Sequence, residues 1–207
     1  FHAALFGQAG QERALLNLGG IANLTLLHAD GRVLGFDTGP ANVLMDGWCA
    51  RHLGHPFDEG GAWAAGGRVD ESLLAQVLNE PFFALPPPKS TGRDLFDMAW
   101  LDALLAGRDM AAQDVMATLS ELTVRSVVDA LRKHLPGAAS LHVCGGGAFN
   151  ADLMARLARA LPGTPMASTA ALGVPPDQME AMAFAWLAQA FVARQPGNLP
   201  AVTGAAG

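Results

Sequence analysis

Short apolar runs separated by turn residues open the chain, and longer segments with helical spacing follow them. Residues 14–18, 21–27 and 33–36 are the first three runs, and their length and composition predict strands. Ala29-Asp30-Gly31 separates the second run from the third and is typical of a hairpin turn. The pattern therefore predicts three adjacent antiparallel strands.

The remainder of the chain is mainly helical in pattern. Apolar positions with helical spacing predict helices over 42–52, 69–78, 98–105, 111–134, 152–161 and 177–192. Two more strands are predicted at 141–144 and 166–169. Glycine-rich 58–67 predicts a loop or a ragged helix start, and proline-rich 81–88 predicts a break. This order of elements predicts an α/β fold.

Composition and charge argue against some classes of binding partner. The 207 residues are 51% hydrophobic and 15% charged, which is typical of a globular chain with a sizeable core. The net charge is -6 and no Lys/Arg-rich run occurs, which argues against nucleic acid. No apolar stretch reaches transmembrane length, which argues against a membrane partner. Cys49 and Cys144 are far apart and form no CxxC motif, which favours a reducing compartment.

Two glycine turns are candidates for phosphate or nucleotide binding. Gly145-Gly146-Gly147 lies between a predicted strand and a predicted helix, where glycine lets a nucleotide approach the backbone closely. It matches neither GxGxxG nor a P-loop. Gly19-Gly20 lies between two strands, and such a turn can present amides to an anion. Taken alone, an ordinary tight turn is the simpler interpretation of each motif.

Asp37 is a candidate general base. It ends the third apolar run just before a predicted helix, where a carboxylate can either accept a proton from a substrate or cap the helix. Taken alone, capping is the simpler interpretation. Asp37-Thr38-Gly39 also matches the aspartic-protease signature. Such enzymes need two Asp residues sharing a proton, and no second triplet is present, which argues against a protease.

Three other groups of polar residues carry weaker signals. The segment 89–94, KSTGRD, is compatible with both an anion-binding role and a structural role. Glu180 lies in the first turn of the last helix, where it either complements the helix dipole or accepts a hydrogen bond from a polyol. Cys49, His52 and His55 are spaced by three, but the helix that carries them breaks, so no metal site is predicted there.

Five motifs resemble the anhydro-N-acetylmuramic acid kinase family, in this order: LNLGGIANLTLL, GFDTGPANVLMDGW, PPKSTGRDLF, VCGGGAFN and GVPPDQMEAMAFAWLA. The resemblance implies the actin-like fold of sugar kinases and chaperone ATPases, which has two lobes with ribonuclease H-like cores. The first residues resemble a mid-chain position of the family, and the GTSxDG-type loop is not present. The resemblance therefore implies the C-terminal portion of the enzyme, with the N-terminal lobe missing.

The resemblance also implies an organisation in three parts. Residues 1–176 would form the second, nucleotide-binding lobe, a mixed sheet with an antiparallel meander and flanking helices. Residues 177–195 would form a helix that packs toward the absent first lobe, and 196–207 a frayed tail. Because this helix is apolar nearly all round, we expect it to expose an apolar patch in this chain.

The activity implied by the resemblance is specific. Family members use ATP and Mg²⁺ to phosphorylate 1,6-anhydro-N-acetylmuramic acid at O6 while water opens the anhydro ring, giving N-acetylmuramic acid 6-phosphate in peptidoglycan recycling. Asp37 would be the general base that takes a proton from this water. Gly19 and Gly20 would form a phosphate-binding turn, Gly145 to Gly147 would lie against the adenosine, and Glu180 would contact the sugar.

The resemblance implies a cytoplasmic enzyme that is commonly a homodimer in the family. Its magnesium loop would belong to the absent lobe, so this chain is expected to provide no metal ligand and to be inactive alone. Two alternatives stay open. One is a non-catalytic nucleotide- or sugar-binding remnant of the same fold, and the other is a kinase for a different sugar.

Overall fold

A five-stranded mixed sheet forms the centre of the molecule. The structure is a computed structural model that describes residues 1–203. The strands are β1 (Arg13–Leu18), β2 (Ile21–Leu27), β3 (Val33–Pro40), β4 (Ser140–Cys144) and β5 (Met166–Ser168). Their order in the sheet is β3-β2-β1-β4-β5. β2 pairs antiparallel with β1 and β3, whereas β4 pairs parallel with β1 and β5. The predicted α/β class and the antiparallel meander are confirmed.

The helices within residues 1–203 are α1 (His2–Phe6), α2 (Asn42–Leu53), α3 (Ala62–Ala65), α4 (Glu71–Leu78), α5 (Pro81–Ala84), α6 (Met98–Leu105), α7 (Ala112–His134), α8 (Ala151–Ala160), α9 (Met179–Val192) and α10 (Pro200–Thr203). Each helix predicted from periodicity is present. Asp70, Asp97 and Asn150 begin α4, α6 and α8, and each side chain accepts a backbone hydrogen bond from the first turn. None of these helices is both long and apolar enough to span a bilayer.

The two faces of β1 pack against different helices. Leu16 and Leu18 belong to a core that includes residues of α2, α7 and α8. Leu15 instead packs with Phe6 of α1 and Met179 of α9. Successive side chains of a strand point to opposite faces, so the strand period produces this division. Each of the three leucines is fully buried, and burial of one such side chain stabilises the fold by roughly 1.5–3 kcal/mol.

β3 extends further than the sequence pattern indicated. The prediction that Asp37 lies at the end of a strand, just before a helix, is wrong, because β3 continues to Pro40. Asp37 pairs with Asn23 of β2, and a bulge between Ala22 and Asn23 lets the ladder continue. The N-cap of α2 is Ala41, so the capping interpretation of Asp37 does not hold.

Several short helices lie where periodicity gave no signal. α3 falls within 58–67, and the Asp58 carboxylate accepts two backbone hydrogen bonds at 2.9 Å from it. α5 falls within the proline-rich break and buries Phe82. α10 falls within the predicted frayed tail, 196–207, and packs on β3. The last part of that tail, 204–207, lies outside the described residues. One helical turn has too few positions for a periodic pattern to emerge.

α9 exposes an apolar surface, as its sequence predicted. Phe184 and Phe191 are 65% and 83% exposed, and Leu187 and Val192 are exposed beside them. The first turn of the helix is anchored by Met179, which is buried in the smaller core. An exposed apolar surface of this kind is typical of a contact with another surface. We call the four exposed side chains the α9 patch.

The α9 patch should bind a hydrophobic dye. In this chain, Phe184→Gln combined with Phe191→Gln should lower the fluorescence of bound anilinonaphthalene sulfonate, because two large exposed rings are removed. The circular dichroism spectrum should stay unchanged. Leu53→Gln, at an exposed apolar position at the end of α2, is the control and should change dye binding less. Equal fluorescence for the double variant and the parent would contradict this prediction.

Candidate functional site

The carboxyl ends of β1, β3 and β4 meet at one edge of the sheet. β4 is parallel to β1, and β3 runs in the same direction because β2 is antiparallel to both of its neighbours. Ligands of open α/β sheets bind outside this edge. A cleft of about 740 Å³ lies there, and we call it the central cavity. Its lining includes six predicted site residues: Gly19, Gly20, Asp37, Gly145, Gly146 and Glu180.

The Asp37 carboxylate is held by three hydrogen bonds. Asn23 Nδ2 donates to Oδ1 at 2.9 Å. The Ser90 hydroxyl and the Thr91 amide both donate to Oδ2, each at 2.9 Å. The Asp37 amide donates to the Lys89 carbonyl at 3.0 Å. The side chain is half-buried and lines the central cavity, so it is fixed in orientation but still open to a ligand.

Gly19 and Gly20 form the turn between β1 and β2 and direct their carbonyls toward α2. These carbonyls accept hydrogen bonds from the amides of residues 41–43 at 2.9 to 3.1 Å. In a planar trans peptide the carbonyl and the following N–H point in opposite directions. The amides of Gly20 and Ile21 therefore point away from α2, and both residues line the central cavity. This turn is a hairpin that can also present amides to an anion.

The three consecutive glycines have different environments. Gly145 has a φ of +81°, which side chains rarely permit. A Cβ on Gly147 would lie 2.6 Å from Leu18 Cβ, so this buried glycine packs against β1. Gly146 is exposed, and the nearest atom to an added Cβ is Asn42 Nδ2 at 3.8 Å. Of the three, Gly146 offers the most accessible backbone to a ligand.

A second cleft, the side cavity, has a volume of about 620 Å³ and shares Gly146 with the central cavity. Exposed rings of Phe57 and Phe149 line it, which suits a planar ring. Asp46 of α2 also lines it. Burial raises the pKa of Asp46 to about 6, although the charge of Arg93 opposes this change. Gly147, the remaining predicted site residue, contributes to this cavity.

Glu180 and the start of α9 close another wall of the central cavity. Glu180 is exposed in the first turn of α9. The segment before α9 is tied to the glycine turn, because the Gly145 amide donates to the Pro176 carbonyl at 3.0 Å. Asp177 lies on the same wall. The cavity is therefore acidic on this side and has backbone amides near the strand ends.

The sequence patterns do not point to all of the residues around the cavity. Asn23 and His2 line it, and neither was identified as a site residue. Burial is the main cause that lowers the pKa of His2, to about 4. The sequence is compatible with two roles for the segment 89–94, and in the structure Ser90 and Thr91 of this segment contact Asp37. A hairpin centred on Asp30 pairs residue 23 with 37, so the predicted turn already contained a signal for Asn23.

The family model and the curated relatives that match this chain carry the same family name. The family model described as anhydro-N-acetylmuramic acid kinase matches residues 1–207. A curated relative of that name from Burkholderia orbicola (strain AU 1054) is 58% identical over 213 residues, covering 100% of this chain and 56% of the relative. Another from Xanthomonas campestris pv. campestris (strain 8004) is 55% identical over 207 residues, covering 100% of this chain and 55% of the relative. The chain spans about half the length of these curated relatives.

A solved structure supports the fold. The activator of the 2-hydroxyisocaproyl-CoA dehydratase from Clostridium difficile with bound ADPNP matches 86% of this chain and 58% of its own, with a TM-score of 0.50 and 16% identity. This likeness and the order of the mixed sheet confirm the predicted lobe of the actin-like ATPase fold. Together with the family model that matches its whole length, the two relatives show that this chain belongs to the anhydro-N-acetylmuramic acid kinase family.

Proposed function

We propose that this chain is part of an ATP-dependent kinase that phosphorylates 1,6-anhydro-N-acetylmuramic acid at O6 and opens its anhydro ring with water. The observation that carries this proposal is the central cavity, where the oriented carboxylate of Asp37 lies in one cleft with two glycine turns and Glu180. The curated relatives carry the name of this kinase. Since the chain spans about half their length, the activity is proposed for the whole protein.

Asp37 takes a proton from a water molecule while the water oxygen bonds to the anomeric carbon. The bond from that carbon to the bridging oxygen breaks, and its electron pair remains on O6. O6 then bonds to the γ-phosphorus of ATP as the bond to ADP breaks, giving N-acetylmuramic acid 6-phosphate. Such a transfer depends on positioning and on stabilisation of charge.

ATP is proposed to span both cavities. The amides of Gly20 and Ile21 are directed away from α2 and suit phosphate oxygens in the central cavity. Gly146 borders both clefts, and the rings of Phe57 and Phe149 suit an adenine in the side cavity. The activator from Clostridium difficile, which shares the fold, has ADPNP bound. Glu180 is proposed to accept a hydrogen bond from the sugar.

The proposed kinase would use Mg²⁺ together with ATP. Within residues 1–203, no three His, Cys, Asp or Glu side chains are close enough to hold a metal ion. Mg²⁺ requires near-octahedral oxygen coordination and usually retains several waters. A magnesium ion bound with ATP would be held by phosphate oxygens and water, and one or two protein carboxylates would be enough to complete its coordination.

The same proposal extends to the pathway, the cellular location and the assembly of the intact protein. The reaction would serve peptidoglycan recycling in the cytoplasm, where ATP is available. Residues 177–195 would pack toward the lobe that completes the cleft, and the α9 patch supports this arrangement because its rings are exposed in the described residues. In the intact protein, which is further proposed to be a homodimer, the patch should bind much less dye than in this chain.

Asp37→Asn in the intact protein should lower the rate of sugar phosphorylation by about 10²- to 10⁴-fold, because the general base is lost while the side chain keeps its shape. ATP affinity, measured by calorimetry, should be retained. Asp30→Asn, in the exposed turn between β2 and β3, is the matched control and should keep full activity. Unchanged turnover of Asp37→Asn would exclude the proposed base.

Glu180→Gln should raise the KM for the anhydro-sugar by about tenfold, because a hydrogen bond to a charged acceptor is weakened. The KM for ATP should change little. Steady-state kinetics with each substrate varied in turn measures both constants. An effect confined to ATP would show that Glu180 has another role.

Gly146→Ala and Gly147→Ala should separate binding from packing. The first variant has room for its Cβ and should keep its melting temperature while the KM for ATP rises. The second places a Cβ against Leu18 and should lower the free energy of unfolding by about 1–3 kcal/mol. Thermal unfolding and ATP kinetics of both variants provide the comparison. Equal loss of thermal stability in the two would contradict it.

A further inference from the structure

The loop at 89–91 reaches Asp37 across a long sequence separation. Ser90 is exposed, yet its hydroxyl donates to Asp37 Oδ2 at 2.9 Å. The next residue adds a backbone donor to the same oxygen at 2.9 Å. The carbonyl of the preceding residue, Lys89, accepts a hydrogen bond from the Asp37 amide at 3.0 Å. Three consecutive residues therefore bind both the backbone and the carboxylate of one aspartate.

The loop is itself anchored. Lys89 Nζ donates to the carbonyls of Phe82 and Phe83 at the end of α5, at 3.0 and 3.3 Å. The same ammonium lies 4.3 Å from the centroid of the Phe82 ring. Phe82 is buried and packs edge-on against Phe96, with their centroids 5.7 Å apart. Because the loop is anchored in this way, the Ser90 hydroxyl that it carries is held in place.

The hydrogen bonds leave the two carboxylate oxygens unequal. An ionised carboxylate has about four acceptor sites, two on each oxygen. Oδ2 uses two, for Ser90 and Thr91, whereas Oδ1 uses one, for Asn23. Among the described residues, Oδ1 is thus the oxygen with an unused acceptor site. Asp37 lines the central cavity, so that site is the one available to a water molecule.

We infer that Ser90 is a positioning residue, which together with Asn23 holds the Asp37 carboxylate so that Oδ1 accepts the proton of the attacking water. This inference rests on the proposed role of Asp37 as the base. It goes further by assigning the reacting oxygen and by giving a role to the loop 89–91. Ser90 acts through Asp37 and does not touch the reacting atoms.

Ser90→Ala in the intact protein tests the inference. Loss of one donor lets the carboxylate rotate, and misplacement of a reacting group by 1 Å can cost about 100-fold, so we expect kcat to fall by about tenfold or more. The KM values for sugar and ATP and the melting temperature should change little, since Ser90 is exposed. Ser90→Thr retains a hydroxyl and should restore kcat. Ser72→Ala removes an exposed hydroxyl on α4 and should leave kcat unchanged.

A double variant distinguishes failure of this inference from failure of the proposed function. In an Asp37→Asn background, Ser90→Ala should cause no further loss, because the two residues act as one unit. A normal kcat for Ser90→Ala, with Asp37→Asn inactive, would overturn the positioning role and leave the base intact. A normal kcat for Asp37→Asn would overturn both. Equal losses from Ser90→Ala in the two backgrounds would show that Ser90 acts independently of Asp37.

Discussion

The parallel pairing of β1 with β4 is the constraint on which the site depends. It brings the end of β1, with Gly19 and Gly20, beside the end of β4, with the triple glycine. The close approach of Gly147 to Leu18 fixes this junction, because a side chain there would collide with β1. The antiparallel hairpin of β2 and β3 then brings Asp37 to the same edge. One sheet edge thus holds Asp37 and both glycine turns of the proposed site.

The orientation of Asp37 comes from outside the sheet as well as from within it. Asn23 is its neighbour across the β2–β3 ladder, whereas Ser90 and Thr91 arrive from the small helical region that contains α4 to α6. That region is joined to β3 by the hydrogen bond from the Asp37 amide to the Lys89 carbonyl and by contacts of α5 with the strand. Within the region, Lys89 and the aromatic packing around Phe82 hold the loop in place. A single carboxylate therefore connects two parts of the chain. Changes in either part can alter its geometry without changing the cavity walls.

Sequence patterns predicted the elements better than the contacts between them. The hairpin emerged because two short apolar runs flank a clear turn signal, and the long helix α7 emerged because its apolar positions have helical spacing. A hairpin that is symmetric about Asp30 places residue 23 opposite residue 37, so the predicted turn also implied the Asn23–Asp37 pair. The contact of Ser90 with Asp37 joins residues 53 positions apart, and no local pattern encodes it. The position of Asp37 was predicted wrongly for a related reason, since β3 continues past the apolar run to Pro40 and pairs with β2 across a bulge.

The fate of the bridging oxygen tests the central claim most directly. Anhydro-sugar labelled with oxygen-18 at the bridge between C1 and C6 would be converted by the intact protein with ATP, and the product analysed by mass spectrometry. If Asp37 activates water toward the anomeric carbon, the label should remain on C6 and become the oxygen of the phosphate ester. A label found in the C1 hydroxyl would mean that water attacked C6, which would contradict the account.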